Sequence, residues 1–247
     1  MSAVLACVLG AAGYAYAVGR LHRRGDPWAS GRTGAALAGL GCLAVAGSPP
    51  LTARDDLFAV HVVQHLLFGM LAPALLALSA PVTLALRTLP PVPRRLLVRA
   101  LHRPVTRWLG TPWVAGALNV ASLAVLYRTP LYAWTLRYEW LHVLVHVHML
   151  VVGCLLAWAL IGVDPVPGRA GVPARVAVLV LVAAAHEVIA KQVHADGLPA
   201  LAVDPRPGAQ LMYYGADVVD LALAAVLLGQ WYARRGAAHR HRLARSG

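Results

Sequence analysis

Charge is scarce in this chain. Only 13% of its 247 residues are Asp, Glu, Lys or Arg, about half the ~25% of a soluble domain. Apolar residues make up 59%, and the mean hydropathy is +0.64. Together these exclude an ordinary water-soluble globule and predict a polytopic membrane protein whose length is taken up by spans and short loops. Lysine is almost missing, Lys191 being the only one. Cysteine is sparse: Cys7, Cys42 and Cys154 lie one per apolar segment, with no CxxC, which argues against a disulfide framework and for buried, inert thiols. No hydrolase triad, phosphate loop or cofactor fingerprint is present, so no enzymatic activity is assigned. Internal repeats and low-complexity runs are also lacking.

The apolar runs, measured against the ~20 residues that a helix needs to cross a bilayer, give seven spans at about 3–19, 33–50, 57–80, 111–128, 140–162, 173–193 and 210–232. The expected fold is an all-α transmembrane bundle. No Lys or Arg precedes Arg20, so the first segment lacks the basic start of a cleavable signal and is expected as a retained span. Span 3 contains Pro73 and runs to Pro81, which predicts a kink or a turn into an interfacial segment near Arg87. The formal net charge of +12 would point to nucleic acid in a soluble protein. Here, seventeen of the basic residues follow spans 1, 3, 5 and 7, and only Arg54, Arg128, Arg137, Lys191 and Arg206 follow the others. This bias predicts an outside N-terminus and a cytoplasmic C-terminus. The basic loop 87–107 and the basic tail 234–247 then read as topology determinants that meet anionic lipid; no nucleic-acid partner is expected.

With orientation set, depth follows from a rise of 1.5 Å per residue. His61 and His65 lie roughly 6 and 12 Å below the outer boundary, and His142 and His146 roughly 3 and 9 Å. His186 and Glu187 come at about 10 Å, Asp217 and Asp220 at about 10–15 Å. Four spans therefore bring ionisable groups to one layer, whereas the inner half of the bundle holds almost none. Imidazole in hydrocarbon is costly and generally has a task. Residues at i and i+4 share a helix face, so His61/His65 and His142/His146 can each converge on one centre, with Met149 extending the second face. Imidazole suits copper, zinc and iron, and a thioether adds preference for Cu(I). The expected metal ligands are His61, His65, His142, His146, Met149 and His186. Gln64, Glu187, Asp217 and Asp220 are expected behind them, fixing ring orientation. The plainer alternative, hydrogen-bonded core or interfacial histidines, applies best to His142 and His148; Glu187 can equally pair with Lys191 at i+4.

The run from His61 through Gln64, His65, Pro73 and Pro81 to Arg87 resembles the signature of the CtaG-type cytochrome c oxidase assembly factors, multi-pass proteins of the bacterial inner membrane. The stretch from His142 and His146 through Gly153 to Asp164-Pro165 is similar to a second block of that family, and the segment from Gly208 loosely to its last. The chain departs from the family at Val145, where an acidic residue is common, and at Asp204-Pro205, where many members have Asp-Gln. The resemblance implies a non-catalytic factor that binds or delivers copper at the outer face, with cytochrome c oxidase subunits or a copper chaperone as partners.

Three other readings compete. Histidines on facing helices can ligate haem axially in a membrane electron-transfer protein. A di-iron hydroxylase or desaturase needs a third multi-histidine box, and only the isolated His186 follows the first two. A proton-coupled transporter running through Glu187, Asp217 and Asp220 needs ionisable groups across the whole thickness.

Overall fold

The computed structural model describes residues 3–54, 57–165, 168–197 and 206–246, with side chains described through Gly236. All regular structure among them is helical: α1 (Ala3–His22), α2 (Ser30–Ala46), α3 (Pro49–Thr52), α4 (Phe58–Leu66), a π-helical turn (Leu67–Leu71), α5 (Ala72–Leu78), α6 (Pro81–Thr88), α7 (Pro91–His102), α8 (Pro104–Leu109), α9 (Pro112–Arg128), α10 (Leu131–Arg137), α11 (Glu139–Ile161), α12 (Val172–Asp196) and α13 (Arg206–Ser246). Six stretches are long and apolar enough to cross a bilayer: Ala3–His22, Ser30–Thr52, Phe58–Leu78, Glu139–Ile161, Val172–Asp196 and Arg206–Gly236. The pair α9 and α10, bent by 70° at the break between them, makes a seventh crossing if the two form one broken span. The chain is an all-α polytopic bundle.

The central helix is α11, packed against α5, the π turn and α9, with α12 and α13 beside it, α2 attached through α5, and α1 through α2 and α6. Pro73 explains the irregularity in span 3. It offers no N–H to the Gly69 carbonyl four residues back, and its ring would crowd that carbonyl in a regular helix. The chain responds with a wider turn, in which the Ala72 N–H reaches Leu67 O, five residues earlier. Span 3 then ends at Leu78 and reverses through Ala80, which has φ 53°, into the short α6.

The two ends of the bundle sort the loops as alternate crossings require. At one end Arg20 Nη1 donates to Thr88 O at 3.1 Å, and Arg87 pairs with Asp26 at 3.5 Å. At the other end Arg128 meets Asp196 at 2.8 Å. The first end carries the loops with most of the arginines and is called the basic end below. The loop 87–107 is mostly helical there, as α7 and α8, neither of which has a buried residue. The basic tail does not form a separate segment: α13 continues through it to Ser246. His239, His241 and the arginines around them lie beyond the described side chains.

Asp164 locks the basic end together. It is 3% exposed, and its carboxylate accepts from Val82 N at 3.3 Å, Thr83 N at 2.7 Å, Thr83 Oγ1 at 2.6 Å and Trp158 Nε1 at 3.1 Å. A carboxylate on the free N–H groups at the start of α6 is both a cap and a favourable partner for the helix dipole. The C-terminal carbonyls of α11 are closed similarly: Arg175 Nη1 donates to Leu160 O at 2.9 Å and Gln230 Nε2 to Ile161 O at 2.8 Å. An Asp164→Asn change would turn an NH2 group onto these donors. We expect a cost of about 2–3 kcal/mol and a melting temperature lower by about 5–10 °C, read by a thermal scan of the purified protein.

Candidate metal centre

The end opposite the basic end holds the histidines of the spans. His61, His65, His146 and His186 are all buried, and His142 is half-buried. They come from α4, α11 and α12, and their rings fall into two groups. In the first, the His142 and His146 ring centroids are 4.4 Å apart, with His61 at 6.5 Å from His142 and 5.8 Å from His146. In the second, His65 lies 5.6 Å from His186. Two imidazoles sharing an ion, each with a nitrogen ~2.0–2.1 Å from it, have centroids about 5–6 Å apart. Among the described residues, no three His, Cys, Asp or Glu side chains stand in a ready-made coordination geometry.

One hydrogen bond fixes a tautomer. His146 Nδ1 lies 3.1 Å from His142 O; a carbonyl can only accept, so Nδ1 carries the proton and Nε2 keeps the lone pair. That Nε2 is buried and has no hydrogen-bond partner among the described residues, as is the case for both ring nitrogens of His61, both of His65 and Nε2 of His186. Buried polar atoms are nearly always hydrogen-bonded, so this concentration of unpartnered ring nitrogens is unusual. It suits a group that accepts coordination.

The walls around these nitrogens are aromatic. Tyr132 on α10 stands edge-on to His61 at 4.9 Å, and Phe58 stacks beside it at 6.4 Å. Tyr127 faces both His61 and His65, at 6.1 and 6.4 Å, and Phe68 lies 5.1 Å from His146. The sequence signal for this cover is Thr129-Pro130. The residue before a proline is pushed out of the helical region, and Thr129, with φ −122° and ψ 171°, ends α9 there. The bend that follows turns α10, and Tyr132 with it, over the site.

Met149 is buried and shares with His65, Gly69, Val145 and His186 the lining of a cavity of about 100 Å³. It therefore belongs beside the second group, deeper than its place on the His142/His146 face suggests. His148 also reaches this lining but is exposed and bonded to Ser122 Oγ at 2.7 Å. Val145, where the family commonly has an acid, is part of the apolar wall.

The residues expected behind the ligands are placed elsewhere. Gln64 turns to the end of α2, where its Nε2 donates to Ala46 O at 3.2 Å. Glu187 is bonded to Lys191 at 3.2 Å. Asp217 and Asp220 share a helix face as expected, but with Glu187 they line a cleft between α12 and α13. The reason is azimuthal: adjacent helix residues differ by about 100°, so His186 pointing inward sends Glu187 outward. Asp204-Pro205 lies outside the described residues.

The family model for the cytochrome c oxidase caa3 assembly factor matches residues 12–234. The uncharacterized protein Mb0105 of Mycobacterium bovis is 41% identical over 184 residues, which cover 71% of this chain and 28% of that protein. The uncharacterized protein ML1998 of Mycobacterium leprae is 32% identical over 249 residues, covering 92% of this chain and 38% of its own length. The chain thus spans well under half the length of these relatives. No solved structure matches. With nearly its whole length covered by one family model, the chain belongs to the cytochrome c oxidase caa3 assembly factor family.

Proposed function

We propose that this chain serves cytochrome c oxidase assembly by holding copper in the outer half of the bacterial inner membrane and passing it to an oxidase subunit, or receiving it from a copper chaperone. The orientation follows the arginine bias, with the histidine end outside. The observation that carries the proposal is the set of partnerless buried ring nitrogens on His61, His65, His146 and His186. The donor chemistry fits the cargo: imidazole with one nearby thioether, and no thiolate, suits Cu(I) held by exchangeable ligands. His142, His146 and His61 form the outer station. His65 and His186, with Met149, form an inner one, one helical turn or about 6 Å deeper along α4. Half-buried His142 is the point of access.

Space favours an ion over the haem alternative. The enclosed volume at His65 and His186 is about 100 Å³, well below the ~300 Å³ lower limit of a small-molecule pocket. The transporter alternative loses its relay, since Glu187 pairs with Lys191 and the three carboxylates keep to one cleft.

The test is made in cells whose oxidase depends on this chain. With His65→Ala or His146→Ala, the oxidase polypeptides should remain while oxidase copper and activity both fall by at least about tenfold, the lower end of what even a partner behind a metal ligand is worth. Unchanged copper content and activity in both strains would overturn the metallation role.

A further inference from the structure

A second feature lies at the basic end, away from the histidines. Between α11 and the two surface helices α7 and α8 is a cavity of about 500 Å³. Its long wall is the α11 face of Leu150, Val151, Cys154, Leu155 and Trp158. From Leu150 to Trp158 this face rises about 12 Å, close to the depth of one leaflet of a ~30 Å hydrocarbon core. At the membrane-boundary end stands Arg107. Its guanidinium also borders a smaller cavity of about 290 Å³ with Trp108, Thr111 and Gly168, so it sits at the junction of an apolar slot and a more polar chamber.

Arg107 is exposed and has no carboxylate partner among the described residues. The acid nearest the slot, Asp164, has its carboxylate taken up by Val82, Thr83 and Trp158. Arg169 lies close enough to offset the Asp164 charge, its Nη2 donating to Asp164 O at 3.0 Å, so the unpaired charge at the junction is that of Arg107. An apolar slot one leaflet deep, a cation at its head and a chamber beyond match the three parts of one molecule: acyl chain, phosphate and headgroup.

We propose that this groove is a specific site for an anionic phospholipid of the cytoplasmic leaflet, with its chain along Leu150–Trp158 and its phosphate on Arg107. Bound there, the lipid joins α8 to α11, which the protein itself barely connects.

The test is native mass spectrometry of the intact chain released from nanodiscs of equal phosphatidylglycerol and phosphatidylcholine. The wild type should retain phosphatidylglycerol in about fivefold excess, one arginine near an anionic headgroup having roughly that effect. Arg107→Gln should bring the ratio to about one, and Leu155→Trp, which fills the slot, should lower retention of both lipids. Paired Arg94→Gln/Arg95→Gln, on the exposed part of α7, should leave the ratio unchanged. Equal retention of the two lipids by the wild type would overturn the site. So would an Arg94/Arg95 effect as large as that of Arg107, which would mean diffuse attraction to the whole basic surface. Thermal scans of each variant separate loss of lipid from loss of fold.

Discussion

Gly153→Val should leave almost no folded protein in the membrane. A Cβ at this position would run into the backbone carbonyl of Gly69 and the Pro73 ring. Neither can yield cheaply. Pro73 is a ring fixed in the first turn of α5, and Gly69 lies in the π turn that exists because of that proline. The freed carbonyl points at α11, and only a hydrogen at residue 153 lets the two helices close to this distance. Overpacking a tight core costs about 1–3 kcal/mol when side chains can move. Against backbone we expect more than about 4 kcal/mol, an exceptional single-site effect and a large share of a typical total of ~5–15 kcal/mol. Detergent-soluble yield and size-exclusion profile measure it. Gly153→Ala should be milder but still destabilising, and a well-folded Gly153→Val protein would show that α11 and span 3 do not approach as described.

The purified chain should lose at least about 100-fold in Cu(I) affinity when His61 and His146 are both changed to alanine, since even partners behind a metal ligand are worth ~10–100-fold. Competition with a coloured Cu(I) chelator reads this directly. His148→Ala should change it less than about twofold, because that ring is occupied by Ser122. The affinity should also fall as pH drops, since a metal takes the deprotonated ring and protons compete for it. A double variant that binds copper like the wild type would place the ion elsewhere. A single histidine pair changed at a time should distinguish the two stations: loss of His65 and His186 removes the inner one while His61, His142 and His146 still bind.

An all-α bundle of six to seven crossings, the two ends and the histidine layer were legible from the chain alone, because each depends on quantities that add along a helix: length, charge per loop and rise per residue. The i, i+4 spacing placed His61 with His65 and His142 with His146 on common faces, and the structure brings both faces inward. What could not be read was azimuth between helices. Depth put Glu187, Asp217 and Asp220 level with the imidazoles, yet rotation about α12 and α13 sends them to a different cleft. The same limit hid the division of the rings into His61/His142/His146 and His65/His186. Pro73 announced a disturbance without its form. The tyrosine cover was hidden because α10 is too short to register as an apolar run, although Thr129-Pro130 marks where the chain must bend. Asp164 stood out only through the family resemblance; its task appears once α6 is seen to start on it.

The elbow at Thr129-Pro130 also bears on the bilayer beside the histidines. It leaves α9 with 17 residues, a rise of about 26 Å against ~30 Å of hydrocarbon. Lipid next to so short a straight segment adapts by thinning. A charged species approaching half-buried His142 from the flank of α9, α10 and the start of α11 would therefore cross less hydrocarbon than the full thickness of the core.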